Sequence, residues 1–225
     1  MCGIAGYYGA PAARPQERPA LLRRMIGAVA HRGPDDNGIH LDETVGLAHA
    51  RLSIIDLASG HQPMANDDGN VWIAFNGEIF NYVELRAELA AGGRRFRTDS
   101  DTEVILRLYE EAGTECLTRL NGDFTFALWD SRRKLLMLAR DRMGVRPLYY
   151  AQRNGTLFFA SEVKALLEAP GIEAALDPIA LDQIFTFWFP LRSRTPFKDV
   201  RELPPAHMLV ASERGVTVKP YWALS

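Results

Sequence analysis

Cysteine is scarce in this chain of 225 residues, which carries only Cys2 and Cys116. Two cysteines in a chain this long exclude a disulfide-stapled secreted scaffold, and their separation is not that of a thiolate metal site, so no metal is expected. Long hydrophobic runs are missing as well. No stretch approaches the roughly 20 apolar residues of a membrane span, and Met1-Cys2-Gly3-Ile4 lacks the basic flank and apolar core of a signal peptide. There is no basic block to neutralise a row of phosphates, since acids and bases alternate to a formal charge of −2. These absences predict a cytoplasmic protein with no nucleic acid and no membrane among its partners. Internal repeats and low-complexity tracts are absent too, and with 47% hydrophobic residues the chain can bury one sizeable core.

What is present falls into two kinds of segment. Apolar runs bounded by turn residues predict strands at about 3–8, 44–52, 71–76, 124–130, 135–141, 148–151 and 156–160. Asn154-Gly155 reads as a two-residue hairpin turn because both residues tolerate positive φ, and 124–160 is expected to form one antiparallel meander. A helix is expected where Leu21, Leu22, Met25, Ile26 and Val29 share a face. Asn81 and Glu84 have capping-box spacing ahead of a second helix that ends near Gly92-Gly93. Ser100-Asp101-Thr102-Glu103 is a fuller capping box, opening a third helix closed by Gly113. Shorter helices are expected at 161–168 and 177–187. The Pro- and Arg-rich stretch 189–205 is expected to wrap the surface. Strands and helices are segregated rather than strictly alternating, which predicts an α+β fold with antiparallel sheets covered by helices.

Cys2 stands out by position. A small second residue lets Met1 be trimmed, leaving a thiol and a free α-amine on one residue. With a pKa of about 7.7–8.0, that amine can accept the thiol proton near neutral pH and return it to a leaving amine. If Met1 stays, the amine is an amide and the base is lost. The competing reading is a small buried residue opening a strand. Asn76-Gly77, at the end of an apolar strand, offers a side-chain amide and an unobstructed backbone N–H to a developing oxyanion, although the same dipeptide is common in turns. Arg51 ends another strand, where its guanidinium could grip a carboxylate through two hydrogen bonds or form an ordinary surface ion pair. Asp101, in a first helical turn, could meet an ammonium group, but the helix dipole favours a carboxylate there in any case. A Cys–His arrangement would draw its base from His31, His49, His61 or His207. None of these has a protease-like context, and His31-Arg32-Gly33-Pro34-Asp35 reads as a turn-rich loop with Asp35 or Asp36 bonding local amides.

Taken together, Cys2-Gly3-Ile4-Ala5-Gly6, His31-Arg32-Gly33-Pro34-Asp35, Arg51-Leu52-Ser53-Ile54-Ile55-Asp56, Asn76-Gly77-Glu78-Ile79-Phe80-Asn81 and Thr98-Asp99-Ser100-Asp101-Thr102-Glu103 resemble the glutaminase domain of the class II (N-terminal-nucleophile) glutamine amidotransferases. The wording of 51–56, 140–150 and 159–167 is similar to the asparagine synthetase branch, and the similarity spans essentially the whole chain. The resemblance implies a four-layer αββα sandwich of two antiparallel sheets between helices. It implies a glutaminase domain over 1–225, with a core to about 210 and residues 211–225 opening a linker to an ATP-dependent synthetase domain not contained in the sequence.

In the glutaminase domain, the resemblance makes Cys2 the nucleophile that attacks the side-chain amide of glutamine. Asn76 and Gly77 would form the oxyanion hole, Arg51 would hold the α-carboxylate, and Asp101 with the neighbourhood of Glu78 the α-ammonium. Backbone groups around Ile54 and Ile55 would line the pocket. This domain would need no cofactor, ATP and Mg being required only by the synthetase domain, whose Ser-Gly-Gly-x-Asp-Ser loop does not occur here. The released ammonia would convert aspartate to asparagine. The alternatives are an amidotransferase half serving another acceptor and a catalytically silent binding module of the same fold, and a homodimer is compatible with either.

Overall fold

Apolar side chains fall on both faces of most strands in the computed structural model, which describes residues 1–53 and 60–224. A sheet that is apolar on both faces must be covered on both faces, and a stack of layers follows. The described strands are β1 (Gly3–Tyr8), β2 (Asp36–Leu41), β3 (Val45–Arg51), β4 (Met64–Ala65), β5 (Val71–Ile79), β6 (Gly122–Asp130), β7 (Leu135–Arg140), β8 (Tyr149–Arg153), β9 (Thr156–Ala160), β10 (Val200–Glu202), β11 (His207–Ser212) and β12 (Gly215–Pro220). The helices are α1 (Arg18–Gly27), α2 (Tyr82–Ala91), α3 (Asp101–Ala112), α4 (Val163–Leu166) and α5 (Pro178–Phe187). One six-stranded sheet has the order β10-β8-β9-β1-β3-β2 and the other β12-β11-β7-β6-β5-β4, with antiparallel pairing throughout.

Three buried clusters separate the layers. Ile4, Leu47, Ala74, Ala127, Leu138 and Phe159 fill the space between the sheets. Tyr7, Leu21, Leu22, Met25 and Leu166 join the first sheet to α1 and α4. Phe75, Phe126, Leu89, Val104, Ile105 and Leu108 join the second sheet to α2 and α3. This is the four-layer α+β sandwich expected from the sequence. No helix among the described residues is long and apolar enough to cross a membrane.

Several local expectations are corrected. Residues 124–160 are not one meander, because β6 and β7 pair in the second sheet while β8 and β9 pair in the first. The connection between them is held by Asp141, whose carboxylate accepts the N–H groups of Met143, Val145 and Arg146, each at 3.0 Å. Stretch 189–205 does run over the surface, with only Thr195, Val200 and Leu203 buried, and contributes β10, which pairs with β8 at a sheet edge; residues 211–220 end β11 and form β12, a paired hairpin.

Neither capping box closes as expected. Asn81 bonds Arg119 O and the Asn121 N–H instead of its own helix, and Ser100 accepts the Thr102 N–H while Glu103 accepts those of Arg97 and Thr98. Asp177 does cap α5, accepting the Ile179 N–H at 3.0 Å. Asn154 and Gly155 both have positive φ, as the hairpin turn requires.

Candidate active site

The site is built where β4 stops. β5 is laddered along one edge to β6, from Val71 opposite Asp130 to Ile79 opposite Gly122. Its other edge meets β4 only at Trp72 and Ile73. Backbone groups alternate in direction along an antiparallel strand, so Phe75, Gly77 and Ile79 turn theirs past the end of β4, where a buried N–H or C=O still needs a partner. Side chains supply them. The Phe75 N–H donates to Gln62 Oε1 at 2.7 Å, Phe75 O accepts from His49 Nε2 at 2.9 Å, and the Ile79 N–H donates to Asp101 Oδ2 at 3.0 Å. Gly77 lies between these clamped positions and lines an open cleft whose empty space, open solvent included, is about 620 Å³. A Cβ on Gly77 would overlap Asp123 O and Phe124 Cα, so this close strand approach admits only glycine.

Asn76 shares the cleft wall and is 1% exposed, yet its Nδ2 has no hydrogen-bond partner. A buried amide left in that state costs about 1–3 kcal/mol, which an acceptor arriving in the cleft would recover. Arg51, at the end of β3, and Cys2, just ahead of β1, line the same cleft from the other sheet. The Leu52 N–H donates to Cys2 Sγ at 3.4 Å. Burial pushes the Cys2 thiol up, and the Leu52 hydrogen bond with the positive charges of the chain terminus, Arg51 and Arg32 offsets part of that rise.

The block 31–35 acts as a clamp on these strand ends. Arg32 is buried, donates from Nε to Cys2 O at 2.9 Å and pairs with Glu162 at 3.0 Å. Gly33 lies so close to Ala50 that a Cβ would overlap its carbonyl. Asp35 accepts the Ser53 N–H at 2.8 Å, a partner distant in sequence and not the local amide expected. Asp36 does bond the adjacent Asn37 N–H, at 2.8 Å, and also meets His61 Nδ1.

Asp101 opens α3, with Ser100 as its N-cap. Burial raises its carboxyl pKa to about 6; hydrogen bonds from the backbone of Ile79 and Thr102 hold it down, and the nearby Glu78 pushes it up. Glu78 is exposed at the rim. Cys2, Arg51, Asn76, Gly77, Glu78 and Asp101 therefore meet in one cleft, whereas Ile54 and Ile55 lie outside the described residues.

No histidine lines the cleft among the described residues. His31 bonds Glu162 at 3.0 Å, His61 bonds Asp36 at 2.6 Å, and His207 bonds Pro205 O at 2.7 Å. Burial lowers the His49 pKa to about 4, so the ring is neutral at physiological pH and carries its proton on the nitrogen facing Phe75 O. Among the described residues the structure thus offers a thiol, two candidate oxyanion donors, two guanidinium groups (Arg51 and Arg146) and two carboxylates in a single cleft. The sequence names His49 only as a candidate base, a role its place outside the cleft does not support, and gives Arg32 and Gln62 no individual role; Arg32 carries a signal, its place in a Gly-Pro-containing block, and Gln62 carries none.

Comparison with known proteins gives the family of the chain. The profile of a family described as a glutamine amidotransferase domain matches residues 1–222. Asparagine synthetase [glutamine-hydrolyzing] 3 of Bacillus subtilis is 41% identical over 99% of this chain and 36% of its own length. Asparagine synthetase [glutamine-hydrolyzing] 1 of the same organism is 40% identical over 99% of this chain and 35% of its own. The amidase chyE of Penicillium rubens is 39% identical over 100% of this chain and 34% of its own. The chain thus spans about a third of the length of these relatives. Among solved structures, glutamine phosphoribosylpyrophosphate amidotransferase from B. subtilis superposes with a TM-score of 0.71 at 20% identity, over 99% of this chain and 50% of the other, a likeness of fold.

Proposed function

Because the chain belongs to the glutamine amidotransferase domain family, we propose that its cleft hydrolyses glutamine to glutamate and ammonia through a thioester on Cys2. The ammonia would serve a synthetase portion that converts aspartate to asparagine, the reading favoured by relatives named asparagine synthetases. The observation that carries the glutaminase reading is the buried, unpartnered Asn76 amide in one cleft with Cys2, Arg51 and Asp101.

In this reading Met1 is removed and Cys2 becomes the terminal residue. Arg51 grips the substrate α-carboxylate, and Asp101 with Glu78 receives the α-ammonium, leaving the side-chain amide near Cys2. The α-amine takes the thiol proton as sulfur attacks the amide carbon. The C–O π electrons move onto oxygen, where Asn76 Nδ2 and the Gly77 N–H stabilise them. Collapse of this intermediate breaks the C–N bond, and the α-ammonium returns its proton to the departing ammonia. Water then adds to the thioester with the amine again as base, and glutamate leaves as the Cys2 thiol re-forms.

The experiment is to incubate the Met-trimmed chain with a glutamine-like diazo-ketone and map the modified residue by mass. Labelling at Cys2 that excess glutamine blocks is expected. No label and no glutamate release would instead indicate a silent binding module.

Asp101 gives the reading a pH dependence. Its pKa, raised to about 6, means that the carboxylate needed for the substrate ammonium forms only as pH rises through that value. kcat/KM for glutamine is expected to climb between pH 5 and 7 for this reason, with Asp101→Asn flattening that limb and weakening glutamine binding roughly 10- to 100-fold, the worth of a charge-assisted hydrogen bond. The stability linkage has the opposite sense. A raised carboxyl pKa favours folding most below the ordinary value of 3.8, and this contribution is lost as pH rises through about 6. Thermal stabilisation by glutamine is therefore expected to grow over the same interval, which melting curves with and without glutamine would measure.

A further inference from the structure

We propose that His49 and Gln62 are positioning residues of the oxyanion hole: together they hold the Phe75 peptide where a longer β4 would have held it, and so fix Asn76 and Gly77. The inference rests on the glutaminase reading above.

The register makes the substitution explicit. Met64 lies opposite Ile73, so two further residues of antiparallel pairing would set Gln62 opposite Phe75 and close the edge of β5. The ladder does not continue. Gln62 instead sends its side-chain oxygen to the Phe75 N–H, and His49, reaching across from β3, donates to the Phe75 carbonyl at 2.9 Å. Both backbone groups of Phe75 are satisfied without a strand occupying the space that the cleft needs. The carbonyl held by His49 belongs to the same peptide unit as the Asn76 N–H, so a shift of that plane moves the Asn76 side chain and the peptide leading to Gly77.

Packing alone does not account for these residue types. His49 stands in β3 two residues after Leu47, facing the apolar layer between the sheets, where an aliphatic side chain would fill the volume. Its Nδ1 is buried without a partner, an expense that a purely structural position would avoid. Gln62 has a second attachment, with Nε2 donating to Thr102 Oγ1 at 3.3 Å. Thr102 follows Asp101 in α3, so one side chain ties the oxyanion wall of the cleft to the helix end that carries the ammonium-binding carboxylate.

The test uses the trimmed chain and three measurements: kcat and KM for glutamine, affinity for the γ-aldehyde analogue of glutamine, and affinity for glutamate. The Cys2 thiol adds across the aldehyde, its S–H proton ending on the former carbonyl oxygen, and that oxygen then occupies the oxyanion position. Glutamate makes only the ground-state contacts. His49→Leu is expected to lower kcat and weaken the aldehyde together, by roughly 10- to 100-fold for displaced rather than deleted donors, with glutamate affinity within about twofold. His49→Gln, whose amide can donate to Phe75 O, is expected to regain most of the loss.

Equal weakening of aldehyde and glutamate, or an unchanged kcat, overturns the proposal. Gln62→Met, which removes the acceptor for the Phe75 N–H, must show the same separation and decides the matter if His49→Leu does not fold. An unsubstituted trimmed chain that neither hydrolyses glutamine nor binds the aldehyde would count against the glutaminase reading itself.

Discussion

A chain that keeps Met1 is expected to hydrolyse glutamine on the order of 10³-fold more slowly than the trimmed chain, the middle of the range for losing a general base. The Cys2 thiol is raised by burial, so little thiolate exists at neutral pH, and attack depends on an acceptor for its proton. Among the described residues no histidine lines the cleft, and the carboxylates there are assigned to the substrate ammonium. The freed α-amine is the acceptor left, and a peptide bond to Met1 removes it. Met1 also occupies space: it lines the cleft, with its sulfur 4.0 Å from Arg32 Nη2. Glutamate release, measured alongside intact mass on trimmed chain and on chain carrying an uncleaved N-terminal extension, checks the expectation. Hydrolysis at the trimmed rate by the extended chain would require another base and would remove the reason for placing the nucleophile second.

The residues proposed to meet substrate are legible in the sequence because each sits at the end of a regular element. Cys2 precedes β1, Arg51 ends β3, Asn76 and Gly77 fall near the end of β5, and Asp101 opens α3. Element ends carry spare hydrogen-bonding capacity, and the sequence marks them with Gly, Asn, Asp and Ser. The supporting residues are not legible in this way. His49 and Gln62 serve a backbone edge that exists only because β4 is short, which is a property of pairing and leaves no periodic trace.

The same limit explains the errors in the fold. Apolar alternation locates β6 through β9 but does not assign them to sheets, since a strand apolar on both faces fits either. β2 escapes the pattern because Asp36-Asn37-Gly38-Ile39-His40-Leu41 has only two aliphatic residues and no position in it is fully buried.

Asn76→Ala is expected to reduce kcat by roughly 10²- to 10³-fold, the usual effect of deleting one oxyanion donor, while leaving KM nearly unchanged. The reason is timing: Nδ2 has no partner in the free protein, and the bond it makes to the substrate oxygen strengthens as charge develops there, so more of its contribution appears in the transition state than in substrate binding. The same lack of a partner predicts an unusual companion result. Deleting an unsatisfied buried donor relieves about 1–3 kcal/mol of desolvation cost, which offsets the packing that the shorter side chain gives up, so the variant's melting temperature should match or exceed that of the parent. A side chain that mainly stabilised the fold would behave in the opposite way, lowering Tm and disturbing KM along with kcat. Steady-state kinetics and a thermal melt on one preparation separate the two, and a destabilised variant with intact kcat would remove Asn76 from the oxyanion hole.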